Sequence, residues 1–335
     1  MRAGPTLIVG QGLAGTLLAW EFERAGIAFE IADGGHAAAA SRIAAGIINP
    51  ITGQRLVKSW KVDTLLPLAR ESYRAFEQEL GVPVWREMRV RRLYLNDTER
   101  RVFAEKRARG DLANYAGASD HEGFWIEGAA HVDVATLIHA ARARWVSAGV
   151  LREERVDFGT VTHAYERVID CTGSENVSFE FVPWQYSKGE CLTVTIDGLA
   201  PDVVLNRGHW MVPVGTGVAK VGATHSPGRR DLSVTPEARA NLEAGVGGMS
   251  SKPFSVTDQH AGIRTYLGDK RPVVGLHPHN PRLGLLNGLG AKGTLFAPAL
   301  ARQWVHHLRE GVPFDSDVDV SRLCRTARLA AVGGS

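Results

Sequence analysis

The chain has 335 residues, of which 44% are hydrophobic and 22% are charged, a balance typical of a soluble globular protein with one or two domains. Its formal net charge of +3 is too small to indicate a nucleic-acid-binding protein by itself. Its three cysteines lack the spacing of a zinc site or a disulfide framework, and no apolar run reaches the roughly 18 residues of a membrane span, so we expect a cytoplasmic protein.

The N-terminal segment predicts a strand, a glycine turn, a helix and a second strand. Residues 7–9 are apolar and are followed by a helical pattern over 13–25, which Gly26 ends. Residues 28–32 read as the second strand, with Asp33 at its end. This order is a βαβ unit and supplies the first strands of a parallel sheet.

The later segments alternate between helical and extended patterns. They predict helices at 61–80, 132–148 and 294–308, buried strands at 166–173 and 283–286, and short antiparallel strands between 186 and 225. We therefore predict an α/β fold in which a Rossmann-type nucleotide-binding domain is interrupted by a second α+β domain with an antiparallel sheet. The predicted first domain comprises residues 1–60, 125–180 and 260–335, and the predicted second domain comprises 61–124 and 181–259.

The turn after the first strand, Gly10-Gln-Gly12-Leu-Ala-Gly15, has the spacing of a dinucleotide-binding loop. Gly10 permits the tight turn, Gly12 lets a pyrophosphate approach the backbone, and Gly15 lets the helix pack on the strand. The positive end of the helix dipole faces the phosphates. Asp33 is placed to accept a ribose hydroxyl, and its negative charge disfavours the 2′-phosphate of NADP.

A second stretch of small residues, ASRIAAGI at 40–47, follows this unit. Ala45 and Gly46 would let the backbone pass close to a flat ring or a pyrophosphate. Ser41 and Arg42 offer hydrogen bonds to phosphate. A packing turn built from small residues explains the same pattern, so both interpretations stay open at this point.

With the pieces above, the chain resembles the D-amino-acid oxidase superfamily of FAD-dependent oxidoreductases, which includes glycine and sarcosine oxidases. The resemblance spans nearly the whole chain and rests on pieces that come in the family's order: VGQGLAG (9–15), Asp33, ASRIAAGI (40–47), VIDCTG (168–173), KGE (188–190), VPVGTGVAKVGAT (212–224), AGIRTYLGDKRPVVG (261–275) and NGLGAKGTLFAPALA (287–301). It implies non-covalent FAD lying extended along the first domain. It also places Thr172 and Gly173 near the adenosine end and Val156 at the adenine.

By the same resemblance, the loop NGLGAKGTLF faces the flavin ring. The glycines Gly288, Gly290 and Gly293 let backbone amides approach a planar ligand, and the helix that begins near Thr294 directs its positive end at them. Fixed dipoles there would stabilise the negative charge of a reduced flavin. Lys292 adds a full charge to this end, or is a solvated surface lysine.

The substrate anchor implied by the resemblance is Arg264, in AGIRTYLGDK. The planar guanidinium fork binds both oxygens of a carboxylate, although an arginine here can also serve backbone carbonyls or a buried aspartate. The family commonly has proline after this arginine, whereas Thr265 and Tyr266 follow it here. Tyr266 lines the substrate pocket or fills space beside it.

The implied reaction is oxidation of an amine. Hydride passes from the α-carbon to flavin N5, the imine hydrolyses to a carbonyl compound, and O₂ reoxidises the flavin to give H₂O₂. Aromatic and other large side chains are candidate pocket walls: Trp60, Trp184, Tyr186, His209, Trp210 and Met211. The histidines show no metal-ligand spacing, so we expect no metal.

Two alternative functions remain. The tRNA-uridine modification oxidases share this superfamily, and the Arg-rich stretch 86–111 is a candidate phosphate-binding face. Its arginines alternate with acidic residues, which favours a solvated surface over nucleic acid. The second alternative is a flavin-binding subunit of a hetero-oligomeric amine dehydrogenase. A homo-oligomer is also compatible with the sequence.

Overall fold

The computed structural model describes residues 4–35, 39–175 and 178–324. Its helices are α1 (Leu13–Arg24), α2 (Ala40–Ile43), α3 (Val62–Leu80), α4 (Asp97–Ala108), α5 (Val134–Ser147), α6 (Phe158–Val161), α7 (Pro236–Met249) and α8 (Gly293–Glu310), with a 3₁₀ turn at Gly173–Glu175. Its strands are β1 (Thr6–Val9), β2 (Phe29–Ala32), β3 (Ile47–Ile48), β4 (Ile51–Thr52), β5 (Val57–Lys58), β6 (Trp85–Leu93), β7 (Ala116–Ser119), β8 (Gly123–Val132), β9 (Leu151–Arg152), β10 (Arg167–Asp170), β11 (Gln185–Ile196), β12 (Val203–Arg207), β13 (His209–Gly215), β14 (Val218–Gly222), β15 (Ser226–Pro227), β16 (Phe254–Tyr266), β17 (Val273–His277) and β18 (Asn280–Asn287).

The first sheet has the strand order β17-β18-β10-β1-β2-β9, with β18, β10, β1, β2 and β9 parallel and β17 antiparallel at the edge. Val9 pairs with Ala32 on one side and with Asp170 on the other. The carboxyl ends of these three strands are therefore level, and the loops after them meet. The predicted parallel sheet is confirmed, and its carboxyl edge is where ligands bind in this class of fold.

The second sheet is mostly antiparallel, with the order β15-β11-β14-β13-β12-β6-β8-β3, β16 paired with β11 and β7 paired with β8. One face packs against α7, where alternate residues of three strands form an apolar cluster: Leu192, Val194, Ile196, Met211, Ala219 and Val221. The other face turns toward the first sheet. This arrangement confirms the predicted α/β fold with a second, antiparallel sheet.

The main core lies where α1, α3, α5 and α8 pack on one another and on the sheets. Trp20, Tyr73, Phe76 and Trp304 are fully buried in it. Tyr73 donates a hydrogen bond from its hydroxyl to the carbonyl of Thr294, 3.0 Å away, which ties α3 to the first turn of α8. The start of α8 is thereby held on a rigid support.

Some strands cross the predicted domain boundaries. β8 follows residue 122 and lies in the second sheet, although residues 125–180 were predicted in the first domain. β16 likewise carries residues 260–266 into the second sheet. Residues that were predicted in the first domain therefore lie in strands of the second sheet. The division of the chain into domains stays a prediction.

Candidate active site

The glycine turn between β1 and α1 has the geometry that its spacing predicts. Gly10 has φ +93°, in the region that favours glycine, and a β-carbon built on it would lie 2.9 Å from the carbonyl oxygen of Cys171. A β-carbon on Gly15 would lie 1.9 Å from the Gly10 carbonyl oxygen, so α1 packs directly on the turn. Gly12 is the N-cap residue of α1, and no acidic side chain occupies the first turn of that helix. The positive end of α1 is thus open to an anion.

Ser41 joins the second small-residue stretch to this helix. Its Oγ accepts a hydrogen bond from the amide of Leu13 at 3.1 Å, and a β-carbon on Gly12 would lie 3.2 Å from the same atom. Among the described residues the Ser41 hydroxyl donates to no acceptor, so its hydrogen is available to a ligand at the helix N-terminus. The segment 41–46 and the loop after β1 therefore form two sides of one binding surface.

Asp33 is buried beside the glycine turn and is held by three donors. Its Oδ1 accepts from the amide of Gln11 at 2.9 Å, and its Oδ2 accepts from the amide of Gly35 at 3.1 Å and from Nη1 of Arg142 at 2.9 Å. Arg142 also bonds Glu153 and the side chain of Gln11. Arg142 was not predicted, because it lies on the polar face of α5, more than 100 residues from Asp33.

A cavity of about 670 Å³ lies between the two sheets, within the size range of cofactor and substrate pockets. Most of the predicted site residues line it, from both halves of the predicted cofactor site: Gly10, Gly12, Asp33, Ser41, Arg42, Ala45, Gly46, Val156, Thr172, Gly173, Arg264, Gly290, Gly293 and Thr294. The structure therefore brings together segments that are up to 284 residues apart in the sequence, from Gly10 to Thr294.

Four predicted site residues do not line this cavity. Gly15 packs α1 on the turn, which is the role its position predicts. Gly288 packs near Trp184, because a β-carbon built on Gly288 would lie 3.4 Å from the Trp184 ring. Lys292 is the N-cap residue of α8, and burial lowers the pKa of its ammonium group. Tyr266 is buried with its ring under the ammonium of Lys270 at 3.6 Å, so it fills space beside the pocket.

Arg264 projects from β16 into the cavity and is largely buried. Its Nη1 donates one hydrogen bond, to the carbonyl of Thr224 at 3.3 Å, and burial lowers the pKa of the guanidinium. Among residues 4–35, 39–175 and 178–324, no carboxylate forms an ion pair with it. A buried guanidinium with most of its donors open to a cavity is a site for an anion. The alternative role, in which Arg264 pairs with a buried aspartate, has no such aspartate in that part of the chain.

The pocket wall follows from the alternation of strand residues. Trp210 lines the cavity, as predicted, together with Gly189 and Cys191 of β11. His209 packs over Gly245 of α7, and Met211 belongs to the apolar cluster on that same face, because neighbouring strand residues point to opposite faces. The other candidate wall residues do not line the cavity: Trp60, Trp184 and Tyr186.

A loop over residues 228–235, here called the strap, covers part of the cavity and was not predicted. Its Arg230 donates to the carbonyl of Ser174 at 2.6 Å, and both Arg230 and Leu232 line the cavity. Lys188, only 1% exposed, binds Asp231 of the strap at 2.8 Å and is 3.4 Å from Glu190. This contact explains the polar residues of the KGE segment, whose lysine fixes the strap and does not reach the cavity.

The Arg-rich segment 86–111 includes β6 and α4, and none of its residues lines the cavity. Several of its arginines are paired with carboxylates: Arg91 with Asp120, Arg92 with Glu99, Arg100 with Asp97 and Arg109 with Asp111. In the described part of the chain, no cluster of three or more histidine, cysteine or acidic residues is arranged to hold a metal ion. No helix there has the length and apolarity to cross a membrane.

Comparison with known proteins agrees with this geometry. The family model described as "FAD dependent oxidoreductase" matches residues 6–306. The bifunctional tRNA 5-methylaminomethyl-2-thiouridine biosynthesis protein of Maricaulis maris (strain MCS10) is 29% identical over 334 residues, covering 92% of this chain and 53% of that protein. Glycine oxidase of Bacillus licheniformis is 34% identical over 117 residues, covering 33% of this chain and 31% of that enzyme. The chain thus spans about half the length, or less, of these curated relatives.

Two solved structures share the fold over nearly the whole chain. Glycine oxidase from Geobacillus kaustophilus has a TM-score of 0.76 at 21% identity, covering 94% of this chain and 97% of the other. Iminodiacetate oxidase from Chelativorans sp. BNC1 has a TM-score of 0.74 at 19% identity, covering 93% and 98%. At these identities the likeness establishes the shared fold.

Proposed function

The chain belongs to the family of FAD-dependent oxidoreductases, and on that premise we propose that it oxidises the C–N bond of a small amine or amino acid that carries a carboxylate. The position of Arg264 carries this proposal. Its guanidinium opens into the same cavity as the glycine turn after β1 and the loop before α8. An anionic substrate held by Arg264 would therefore lie within the cofactor cavity.

The residues present fit FAD. Gly10 and Gly15 leave no room for side chains at the turn, and the N-terminus of α1 is open for the pyrophosphate. Asp33 retains lone pairs for ribose hydroxyls after accepting its three hydrogen bonds. Gly290, Gly293 and Thr294 at the N-terminus of α8 line the cavity, where the positive end of the helix would stabilise negative charge on a bound flavin.

When bound, FAD supplies the two-electron oxidation of the C–N bond. The substrate loses two electrons and two protons and becomes an imine, which water hydrolyses to a carbonyl compound and an amine or ammonia. Arg264 binds the carboxylate through its fork and fixes the orientation of the α-carbon. Trp210 lines the pocket, where its ring would exclude water from the reacting bond. We propose that O₂ takes up the electrons and is reduced to H₂O₂.

An anaerobic titration of the purified protein tests this function. We expect one of glycine, sarcosine or iminodiacetate to bleach the visible flavin absorbance, and air to restore it with H₂O₂ release. Arg264→Ala should raise KM for the active compound by roughly 100-fold with FAD retained, because a charge-assisted pair is lost. Arg264→Lys keeps the charge without the fork, so its KM should lie between that of the wild type and that of Arg264→Ala. Unchanged kinetics in Arg264→Ala would remove the assignment.

A second candidate substrate is an aminomethyl-modified uridine of tRNA. It is favoured by the Maricaulis maris protein, whose match covers 92% of this chain, against 33% for glycine oxidase. Within the described residues, Arg101 and Arg107 of α4 bond only hydroxyl groups, Thr98 and Ser119, and have no carboxylate within ion-pair distance. They are the residues of segment 86–111 that we propose to contact phosphate.

The salt dependence of RNA binding decides this candidate. A tRNA substrate predicts binding that falls steeply as salt rises, and a shallower slope in Arg101→Gln/Arg107→Gln. The control variant Arg100→Gln removes an arginine already paired with Asp97. Salt-insensitive or absent binding would eliminate the tRNA substrate and leave the small-molecule proposal intact.

The remaining alternatives concern partners and location. A flavin-binding subunit of a hetero-oligomeric dehydrogenase would bind FAD but turn over no amine until a second chain is added. Co-purification of such a chain, together with turnover only in its presence, would support that reading. A cytoplasmic location and a homo-oligomeric state remain predictions, which cell fractionation and light scattering test.

A further inference from the structure

Arg142 closes a ring of hydrogen bonds with Gln11 and Asp33. The amide of Gln11 donates to Oδ1 of Asp33 at 2.9 Å. Nη1 of Arg142 donates to Oδ2 of Asp33 at 2.9 Å and to Oε1 of Gln11 at 2.7 Å. Gln11 and Asp33 line the cofactor cavity, whereas Arg142 does not. Arg142 is therefore placed to act on a bound molecule through two residues that the molecule can contact.

The Asp33 carboxylate is fixed in orientation and still open to the cavity. Its side chain is 7% exposed, and the residue lines the cavity. Within the described part of the chain, Oδ2 accepts hydrogen bonds from Gly35 and Arg142, whereas Oδ1 accepts one, from Gln11. A carboxylate has about four acceptor positions, so Asp33 retains acceptor capacity, chiefly on Oδ1. This is the capacity that a ribose hydroxyl would use.

Arg142 is itself held from two sides. The preceding residue on α5, Ala141, is fully buried and anchors the helix. Nε and Nη2 of Arg142 donate to Oε1 of Glu153 at 3.2 and 2.6 Å. All three guanidinium nitrogens are thus engaged, which restricts rotation of the fork. The positive charge also compensates the buried Asp33 carboxylate, which would otherwise be costly to keep ionised.

We propose that Arg142 is a positioning residue for the cofactor, which holds the Asp33 carboxylate in the orientation that accepts a ribose hydroxyl of FAD. Without the guanidinium, Asp33 loses one of its three donors and its compensating charge, so the carboxylate is free to turn away from the ribose. The inference rests on FAD binding and on the predicted role of Asp33. It is independent of which amine is oxidised, so a failed amine assay leaves it standing.

The test measures the FAD dissociation constant of the holoprotein by serial dilution, following the fluorescence of released flavin. Arg142→Met removes the guanidinium and keeps an unbranched stem. It should weaken FAD binding about tenfold, which corresponds to about 1.4 kcal/mol. Asp33→Ala should weaken binding at least as much. Because Arg142 acts through Asp33, the double variant should lie within about twofold of Asp33→Ala alone.

Two controls separate positioning from a general disturbance of the fold. Arg144→Met makes the same substitution two residues further along α5, at an arginine that pairs with Glu23, and should match the wild type. The visible absorbance maxima of the bound flavin should not move in Arg142→Met, because Asp33 serves the ribose and not the isoalloxazine ring. A shifted spectrum would assign the loss to a distorted site and overturn the proposal.

The remaining outcomes also decide the proposal. Losses that add in the double variant would show that Arg142 acts by a route other than Asp33, and would overturn it. Wild-type affinity in either single variant would do the same. If Arg142→Met does not fold, Arg142→Lys replaces it: the charge stays but the fork is lost, and FAD binding should weaken about threefold, with an unchanged constant counting against the proposal.

Discussion

The guanidinium of Arg264 lies directly over Gly189 of the neighbouring strand. A β-carbon built at Gly189 would come within 2.4 Å of both terminal nitrogens of the arginine. The absence of a side chain at residue 189 is therefore what allows the fork to lie flat on β11 and to open into the cavity. This relationship gives a way to move Arg264 without removing it.

Gly189→Ala is expected to displace the guanidinium and to raise KM for a carboxylate substrate by about tenfold or more, because misplaced charge-assisted hydrogen bonds are lost. The FAD dissociation constant should stay the same. Gly247→Ala is a suitable control, since a β-carbon there meets no atom within 4 Å. Steady-state kinetics on both variants check this prediction, and an unchanged KM in Gly189→Ala would contradict the placement of the substrate carboxylate.

Gly12→Val should give a folded protein without flavin. Gly12 has φ −76°, which other residues adopt freely, and its nearest neighbour is the Ser41 hydroxyl. The larger side chain therefore blocks the approach of the pyrophosphate more than it strains the fold. The measurement is the ratio of flavin absorbance to protein absorbance after purification, with circular dichroism to confirm folding. A yellow Gly12→Val protein would contradict the role of the turn.

The stability of the fold should depend on pH through His131. This histidine is 7% exposed, and burial, together with the positive charge of Arg86, lowers its pKa to about 4. An unfolded histidine has a pKa of about 6.5, so between the two values the unfolded chain binds a proton that the native protein does not. The free energy of unfolding is therefore fully present above about pH 6.5 and falls as the pH drops toward 4, by at most about 3 kcal/mol.

Chemical denaturation at several pH values measures this effect. His131→Asn removes the titrating group and should flatten the pH dependence between 4 and 6.5, although its stability at pH 7 is expected to be lower. The control is His121→Asn, which makes the same substitution at an exposed histidine in a bend. It should leave the pH dependence of the free energy of unfolding unchanged. An equally steep profile in His131→Asn would assign the dependence to other groups.

The strap should help to retain the cofactor through Lys188 and Asp231. Asp231→Asn removes the close partner of a buried lysine, so the strap residues Arg230 and Leu232 should leave the cavity more often. We expect FAD to dissociate a few-fold faster, measured by the rate of fluorescence increase after dilution. Arg229→Gln removes the exposed partner of Asp231 and keeps the Lys188 contact, so its dissociation rate should match the wild type. Equal rates for all three proteins would show that the strap does not retain FAD.

The parts of the fold that were predicted correctly are those with local signals. The βαβ unit, the capped helix α5 and the long helices α3 and α8 each follow from apolar periodicity, a cap or a terminal glycine. Asp133, for example, caps α5 by accepting from the amide of Thr136 at 3.0 Å. The same holds for the glycine turn, whose conformation depends on adjacent residues.

Features set by distant residues escaped prediction. Arg142 contacts Asp33 across 109 residues, and the pairing of Lys188 with Asp231 depends on how a loop folds back on a sheet. The wall residues show the same limit: a strand pattern predicts that Trp210 and Met211 face opposite ways, but not which face meets the cofactor. Only the packing of α7 on one face decides that Trp210 is the residue in the cavity.

The cavity is built from segments that are far apart in the sequence, from the turn at Gly10 to the start of α8. A molecule that contacts all of them acts as a non-covalent cross-link between the two sheets. Its binding energy then adds directly to the stability of the native state, by about 2.7 kcal/mol when free FAD is at 100 times its dissociation constant. The melting temperature should consequently rise with the FAD concentration. The supply of FAD would then determine the stability of the protein as well as its activity.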